Sequence, residues 1–327
     1  MKNIGNKIFS IRSSIEFQEA ALQIFRFQAE KNDIYNKYLN ALNIDVSEIE
    51  NISDIPFLPV EFFKTNKVFS GKSEPEIIFS SSGTSGQSVS RHYVADISIY
   101  EKSFLSCFNI FYGNPADYIF YCLLPSYLER EGSSLVSMAK KLIDLSGHTE
   151  SGFFLSNTNE LFNCILNSEK RKQKAILLGV SFALLDFAEK YPMELTYTIV
   201  METGGMKGRK KEITRFEMHD FLKQKLGIKA VHSEYGMTEL LSQAYSEADG
   251  MYKLPPWMKL FIRDINDPLS LVKEGTSGGI NIIDLANIYS CSFIETKDLG
   301  RINVDGTFEV TGRFDNSDIR GCSLMIS

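Results

Sequence analysis

Three stretches of the chain combine residue types and spacings that suit nucleotide chemistry. The first is SSSGTSGQSVSRH, residues 80–92, which mixes glycines with hydroxyl side chains. Glycines let a backbone come close to a phosphate, and N–H and hydroxyl groups then donate to its oxygens. Ser81, Ser82, Gly83, Thr84, Ser85 and Gly86 are the candidate phosphate contacts. No Gly-Lys-Ser/Thr closes the run, so it is not a Walker loop, and GxGxxG is absent, so it is not a Rossmann fingerprint. The same composition also suits a surface loop.

The second stretch is HSEYGMTEL, residues 232–240. Tyr235 can stack on a base, with Gly236 beside it, and Thr238 offers a hydroxyl to a phosphate. Glu239 offers a hard oxygen to Mg²⁺, an ion that keeps several waters and takes few protein ligands. The alternative is a turn leading into a helix, with Thr238 and Glu239 as its cap. The third stretch runs from Glu295 to Cys322. There Asp298 could take both hydroxyls of a ribose, and Arg313 the same ribose or a phosphate. The alternative is a charged β-hairpin.

These residues need elements to hold them. Phe17, Ala21, Ile24 and Phe27 recur at helical steps and predict a helix over residues 12–42. Ile77–Phe79 and residues 117–124 read as strands, and Ser133–Leu145 as a helix. The middle of the chain predicts strand Ala175–Val180, helix Phe182–Tyr191, strand Thr196–Met201, helix Lys210–Leu226 with Gly227 as its cap, and strand Ile228–Val231. Alternating strands and helices imply a parallel sheet. Ligands bind such sheets beyond the carboxyl ends of the strands. That places a site on the loops Gly179–Ser181, Thr203-Gly204-Gly205 and Ser233–Glu239. Beyond about residue 276, short strands at 279–284, 289–296 and 307–311, with a turn at Asp305-Gly306, predict an antiparallel region.

Composition narrows the class. The chain has 327 residues, a net charge of −6 and 43% hydrophobic residues. The acidic balance argues against binding nucleic acid without sequence preference. Five cysteines without a CxxC pair argue against a disulfide framework or a structural zinc. No apolar run approaches the ~20 residues that span a bilayer, and the N-terminus lacks an apolar core of signal-peptide length. A cytoplasmic protein without a membrane span is expected. Cys107, Cys122, Cys164 and Cys291 fall in apolar patterns, so packing is their expected role. His219 reads as structural or exposed, while His92 and His232 flank the nucleotide motifs.

Taken together and in order, the motifs resemble those of the adenylate-forming superfamily of acyl-CoA synthetases, luciferases and nonribosomal adenylation domains. SSSGTSG looks like its phosphate loop, EYGMTE its adenine and magnesium segment, KDLG its ribose aspartate and GRFDNSDIRG its hinge motif. Over nearly the whole chain, DIPFLPVEFFKTNKVFSG, LPSYLEREGSSLVSM, ETGGMKG and RFDNSDIRGCSLM look like the LuxE-type acyl-protein synthetases. The resemblance implies an α/β adenylation domain over residues 1–312, with parallel sheets flanked by helices and an antiparallel subdomain at about 276–312. A tail at 313–327 follows.

The same resemblance implies ATP and Mg²⁺ as cofactors and activation of a carboxylic acid, a fatty acid in that family. The acyl group then passes to Cys322, which matches the family's acyl-accepting cysteine. Arg320 could help lower the thiol's pKa. An acyl reductase or a carrier protein would be the partner. Coenzyme A as acceptor and a non-catalytic scaffold are the competing readings. Full-length superfamily members also carry a C-terminal domain of about a hundred residues, whose lysine binds the carboxylate and α-phosphate. Fifteen residues remain here from Arg313 on. That domain is expected to be missing, with Lys207 and Lys297 as candidate replacements.

Overall fold

The computed structural model describes residues 5, 7–71, 74–81, 89–124, 132–155, 157–204, 213–273 and 275–314. Two compact units divide the chain. One takes the residues up to Gly71 and those from Pro256 on, the other Lys72–Pro255.

The first unit opens with helices α1 (Ser14–Lys31) and α2 (Asp33–Ala41). The single helix expected over 12–42 is thus two. Asn32 ends α1 and caps α2, its side chain accepting from the N–H groups of Ile34 and Tyr35. An asparagine favours this because its short amide bonds the backbone in place of the helix ladder. Ser13 and Glu16 form a capping box at the start of α1. Phe17, Ala21 and Ile24 are buried as the spacing predicts, but Phe27 is only half-buried and Phe25 fills the core instead. Strand β1 (Leu58–Pro59) follows.

The second unit begins with the hairpin of β2 (Ile77–Ser80) and β3 (Arg91–Val94), which pair antiparallel with Phe79 opposite His92. Next come α3 (Ile97–Phe111), β4 (Ile119–Leu123), α4 (Ser134–Ser146), β5 (Gly152–Phe153), α5 (Thr158–Lys170), β6 (Ala175–Val180), α6 (Ser181–Lys190), β7 (Thr198–Thr203), α7 (Arg215–Leu226), β8 (His232–Tyr235), β9 (Ala244–Ser246) and β10 (Tyr252–Lys253). The sheet order is β10-β9-β8-β7-β6-β4-β5, parallel from β8 to β5 and antiparallel from β8 to β10. Every residue of β4 and β6 is buried, which explains their unbroken apolar sequences.

Several boundaries differ from the expectation. Strand β7 lies two residues further on than predicted. Helix α7 starts at Arg215, where Thr214 and Glu217 form a capping box, and it ends at Gly227 in the left-handed conformation as expected. Residues 228–231 form no strand. The motif residues His232–Tyr235 do so instead, because His232–Glu234 are in register with Met201–Thr203 and Tyr235 with Ala244 on β9.

The chain then returns to the first unit with β11 (Met258–Arg263), β12 (Gly278–Asp284), β13 (Phe293–Ile302) and β14 (Phe308–Arg313). They form an antiparallel sheet in chain order, with β1 parallel on β13. Residues 289–292, predicted as strand, precede β13 and form a turn stitched by Ser290 N–H to the Asn287 carbonyl. Cys107, Cys122 and Cys291 are buried, and Cys164 is half-buried. Among the described residues, no helix is long and apolar enough to cross a membrane.

Candidate functional site

In the second unit, three neighbouring parallel strands end side by side: β6 at Val180, β7 at Thr203 and β8 at Tyr235. Side chains stitch their ends together. Ser181 donates its hydroxyl to the Gly204 carbonyl at 2.7 Å and reaches Glu202 Oε2 at 3.4 Å. Thr203 Oγ1 donates to Glu234 Oε2 at 2.5 Å, directly across the pair in register. Gly204 has φ of +68°, a conformation that glycine adopts without penalty.

The motif after β8 is not the entry to a helix. Thr238 and Glu239 form a turn, and the chain runs on into β9. Tyr235 and Thr238 are half-buried, Gly236 is exposed and Glu239 is only 5% exposed. A Cβ on Gly236 would lie 2.6 Å from Glu234 Oε1 and 3.5 Å from Gln243 Cγ. A side chain there would press on the Glu234 carboxyl, while the approach to Gln243 is an ordinary contact. Tyr235 packs edge-on against Tyr252 at 5.8 Å.

His92, fully buried on β3, places Nδ1 2.8 Å from the Thr238 carbonyl. The strand leaving the phosphate-loop run is thereby fixed to the Thr238-Glu239 turn. The sequence marks His92 only as a neighbour of the motif and gives no sign of this bond. Ser81 belongs to the neck of the loop: its N–H bonds the Ser90 carbonyl, and its hydroxyl accepts from Ser90 N–H at 2.9 Å. Ser82, Gly83, Thr84, Ser85 and Gly86 lie outside the described residues, as do Gly205, Lys207, Arg320 and Cys322.

Electrostatics single out one group that the motif reading passes over. Burial pushes the Glu234 carboxyl up to about 7; the Thr203 hydrogen bond opposes the shift and the Glu202 carboxylate adds to it. Glu202 faces the other side of the sheet, with Arg215 Nε at 3.4 Å and the buried His219 Nε2 at 3.8 Å. His232, whose ring meets the Tyr112 hydroxyl at 3.2 Å, is held below its usual range by burial, against the pull of Glu247.

The remaining candidates belong to the first unit. Asp298 on β13 stands opposite Arg313 on β14, with Arg313 Nε 3.8 Å from Asp298 Oδ1. Lys297 Nζ is paired with Glu61 at 2.5 Å. Arg263, which sequence reasoning missed, is 4% exposed. Its guanidinium donates to the carbonyls of Ile280 and Thr296 and to Asn281 Oδ1, and it sits over the Phe314 ring at 5.4 Å.

The residues of the second unit fit a nucleotide with a divalent ion. Gly204 and Gly236 carry no side chains of their own at the strand ends, and Gln243 Oε1 is a buried acceptor with no hydrogen-bond partner among the described residues. No group of three or more metal-binding side chains occurs among the described residues. One carboxylate, Glu239, matches an ion held largely by phosphates and water.

No protein-family profile matches the chain, and no curated protein does. Solved structures do. Among them is ATP-bound MatB from Rhodopseudomonas palustris, at 16% identity and a TM-score of 0.54 over 74% of this chain. Another is 2-hydroxyisobutyryl-CoA ligase in complex with 2-HIB-AMP, at 12% identity and 0.67 over 92% of this chain and 68% of that one. A third is the amide bond synthetase McbA from Marinactinospora thermotolerans, at 16% and 0.51 over 75%. The chain spans 49% of the length of the MatB and McbA chains it matches. At these identities the likeness is one of architecture, and it establishes that the chain has the α/β fold of the N-terminal domain of adenylate-forming enzymes.

Proposed function

We propose that this protein activates a carboxylic acid as its acyl-adenylate and passes the acyl group to a thiol. A substrate carboxylate oxygen attacks the α-phosphorus of ATP, and pyrophosphate leaves. The Cys322 thiolate then attacks the acyl carbon, forming a thioester as AMP leaves. A thiolate suits this step because it is nucleophilic near neutral pH. The observation that carries the reading is the stitched set of strand ends, Ser181 to Gly204 and Thr203 to Glu234, beside the Tyr235–Glu239 segment. Strand ends of a parallel sheet are where such ligands bind.

In this reading Tyr235 lies against the base and Thr238 donates to a phosphate. Glu239 would hold Mg²⁺, which would supply charge neutralisation at the phosphates. The backbone of residues 82–86 cradles phosphate oxygens, with Gly204 and Gly205 adding backbone contacts. Donors fixed before the charge develops stabilise the transition state without reorganising. Asp298 and Arg313 are proposed for the ribose on their motif. An acyl reductase or a carrier protein would receive the product.

The test is to incubate the protein with ATP, Mg²⁺ and carboxylic acids of graded length and polarity, and to weigh it intact. The expected result is a mass gain of one acyl group, labile to hydroxylamine and lost in Cys322→Ser. AMP formation only on adding coenzyme A or a carrier protein would move the acceptor off Cys322. Absence of pyrophosphate release with every acid would sink the activity itself.

A further inference from the structure

Glu234 and Gln243 both border Gly236 in the second unit. The position a Cβ would take on Gly236 is 2.6 Å from Glu234 Oε1 and 3.5 Å from Gln243 Cγ. Glu234 is 7% exposed and Gln243 5%, while Gly236 between them is exposed. The side chain of Glu234 and the backbone of Gln243 are held. Thr203 fixes Glu234 through Oε2, which leaves Oε1 turned toward Gly236. Helix α3 fixes the backbone of Gln243: Cys107 Sγ–H donates to its carbonyl at 3.3 Å, and Ser103 bonds Ser242 at 2.8 Å. Gln243 Oε1 is buried without a partner among the described residues. An unsatisfied buried acceptor costs about 1–3 kcal/mol, so its retention in a side chain that packs beside Gly236 points to a bound group that satisfies it.

We propose that Glu234 and Gln243 together recognise a hydroxyl group on the acid that this protein activates. The inference rests on the acid-activating function proposed above and narrows its substrate to hydroxy acids, away from the plain fatty acids of the family it resembles. A hydroxyl both donates and accepts. Gln243 Oε1 accepts its proton, and the carboxylic acid form of Glu234 donates to its oxygen. Burial favours that neutral form, and the Glu202 carboxylate of β7, on the other face of the sheet, adds to it. The other titratable groups that interact with Glu234 are phenols kept neutral by burial: Tyr100 on α3, Tyr112 just after it, Tyr245 on β9 and Tyr252 on β10. A ligand hydroxyl brings no charge to offset an ionised Glu234, so recognition weakens as pH rises above about 7. An ammonium group would do the reverse, because it stabilises the ionised carboxylate.

The experiment compares matched acids of one carbon skeleton, unsubstituted, hydroxylated and aminated, at pH 6 and pH 8.5. Two readouts are taken: binding by calorimetry, and acid-dependent exchange of pyrophosphate into ATP. The expected result is a preference of tenfold or more for a hydroxy acid at pH 6, shrinking at pH 8.5. Gln243→Met, close in volume, brings the ratio toward one, and Glu234→Gln keeps part of it and removes its pH dependence. Thermal melts establish that both variants fold. A preference for the unsubstituted or aminated acid overturns the proposal, as does a ratio unmoved by both substitutions. Exchange that fails with every acid while calorimetry still shows the hydroxy-acid preference sinks the activity and leaves the recognition pair standing.

Discussion

His92 Nδ1 lies 2.8 Å from the carbonyl oxygen of Thr238, joining residues 146 positions apart. A ring nitrogen facing a carbonyl must carry the proton, so this contact fixes the tautomer of a fully buried histidine. The bond ties strand β3, which leaves the glycine- and serine-rich run, to the turn carrying Glu239. His92→Ala is expected to cost about 1–3 kcal/mol, the usual penalty for a buried acceptor left unpaired. It should also raise the apparent KM for ATP more than that for the acid. Chemical denaturation and pyrophosphate exchange measure the two effects, and equal shifts in both KM values would count against the link.

Glu234 gives stability a pH dependence of definite sign. Its folded pKa of about 7 lies above the ordinary value of 4.5. Between those values the folded protein holds a proton that the unfolded chain has lost. Its contribution is therefore full below pH 4.5, falls as pH rises toward 7 and is gone above. Glu234→Gln should flatten that part of the stability–pH curve. Thr203→Val removes a hydrogen bond that lowers the pKa, so it should push the midpoint higher. Urea midpoints at half-unit pH steps read both changes, and a slope that survives in Glu234→Gln would assign it to another group.

Gly236→Ala places a methyl 2.6 Å from Glu234 Oε1. Either the carboxyl or the turn must shift, and overpacking of this kind costs about 1–3 kcal/mol. The loss should be smaller in a Glu234→Ala background, where the clash is gone. Neighbouring residues couple in this way, and a double-mutant cycle on thermal midpoints measures it. Strict additivity would mean that the two side chains do not compete for space.

Arg263 serves stability. Its guanidinium satisfies two carbonyls and Asn281 Oδ1, with Glu295 3.5 Å from Nε. Burial lowers its pKa, against the pull of Glu295 and Asp298. Arg263→Leu strands those acceptors and leaves Glu295 without its partner. Breaking such a pair costs about 3–5 kcal/mol. Urea unfolding should show this loss; a change under about 1 kcal/mol would mean that water replaces the guanidinium.

The sequence by itself determined the parallel sheet, because β4 and β6 are apolar throughout and alternate with helices whose caps, such as Thr214 and Gly227, are local signals. It also placed the antiparallel strands near the C-terminus and the loops at the strand ends, since periodicity and turn residues act over a few neighbours. Only the tertiary structure decided that His232–Tyr235 is strand and residues 228–231 are not, because that register depends on β7. It alone joined His92 to Thr238 and buried Glu234 against Thr203 and Gly236. Arg263 likewise reads as an ordinary surface arginine until three strands close around it. Motifs record which groups a ligand needs. Burial, protonation and partners come from residues far away in the chain, and no local pattern encodes them.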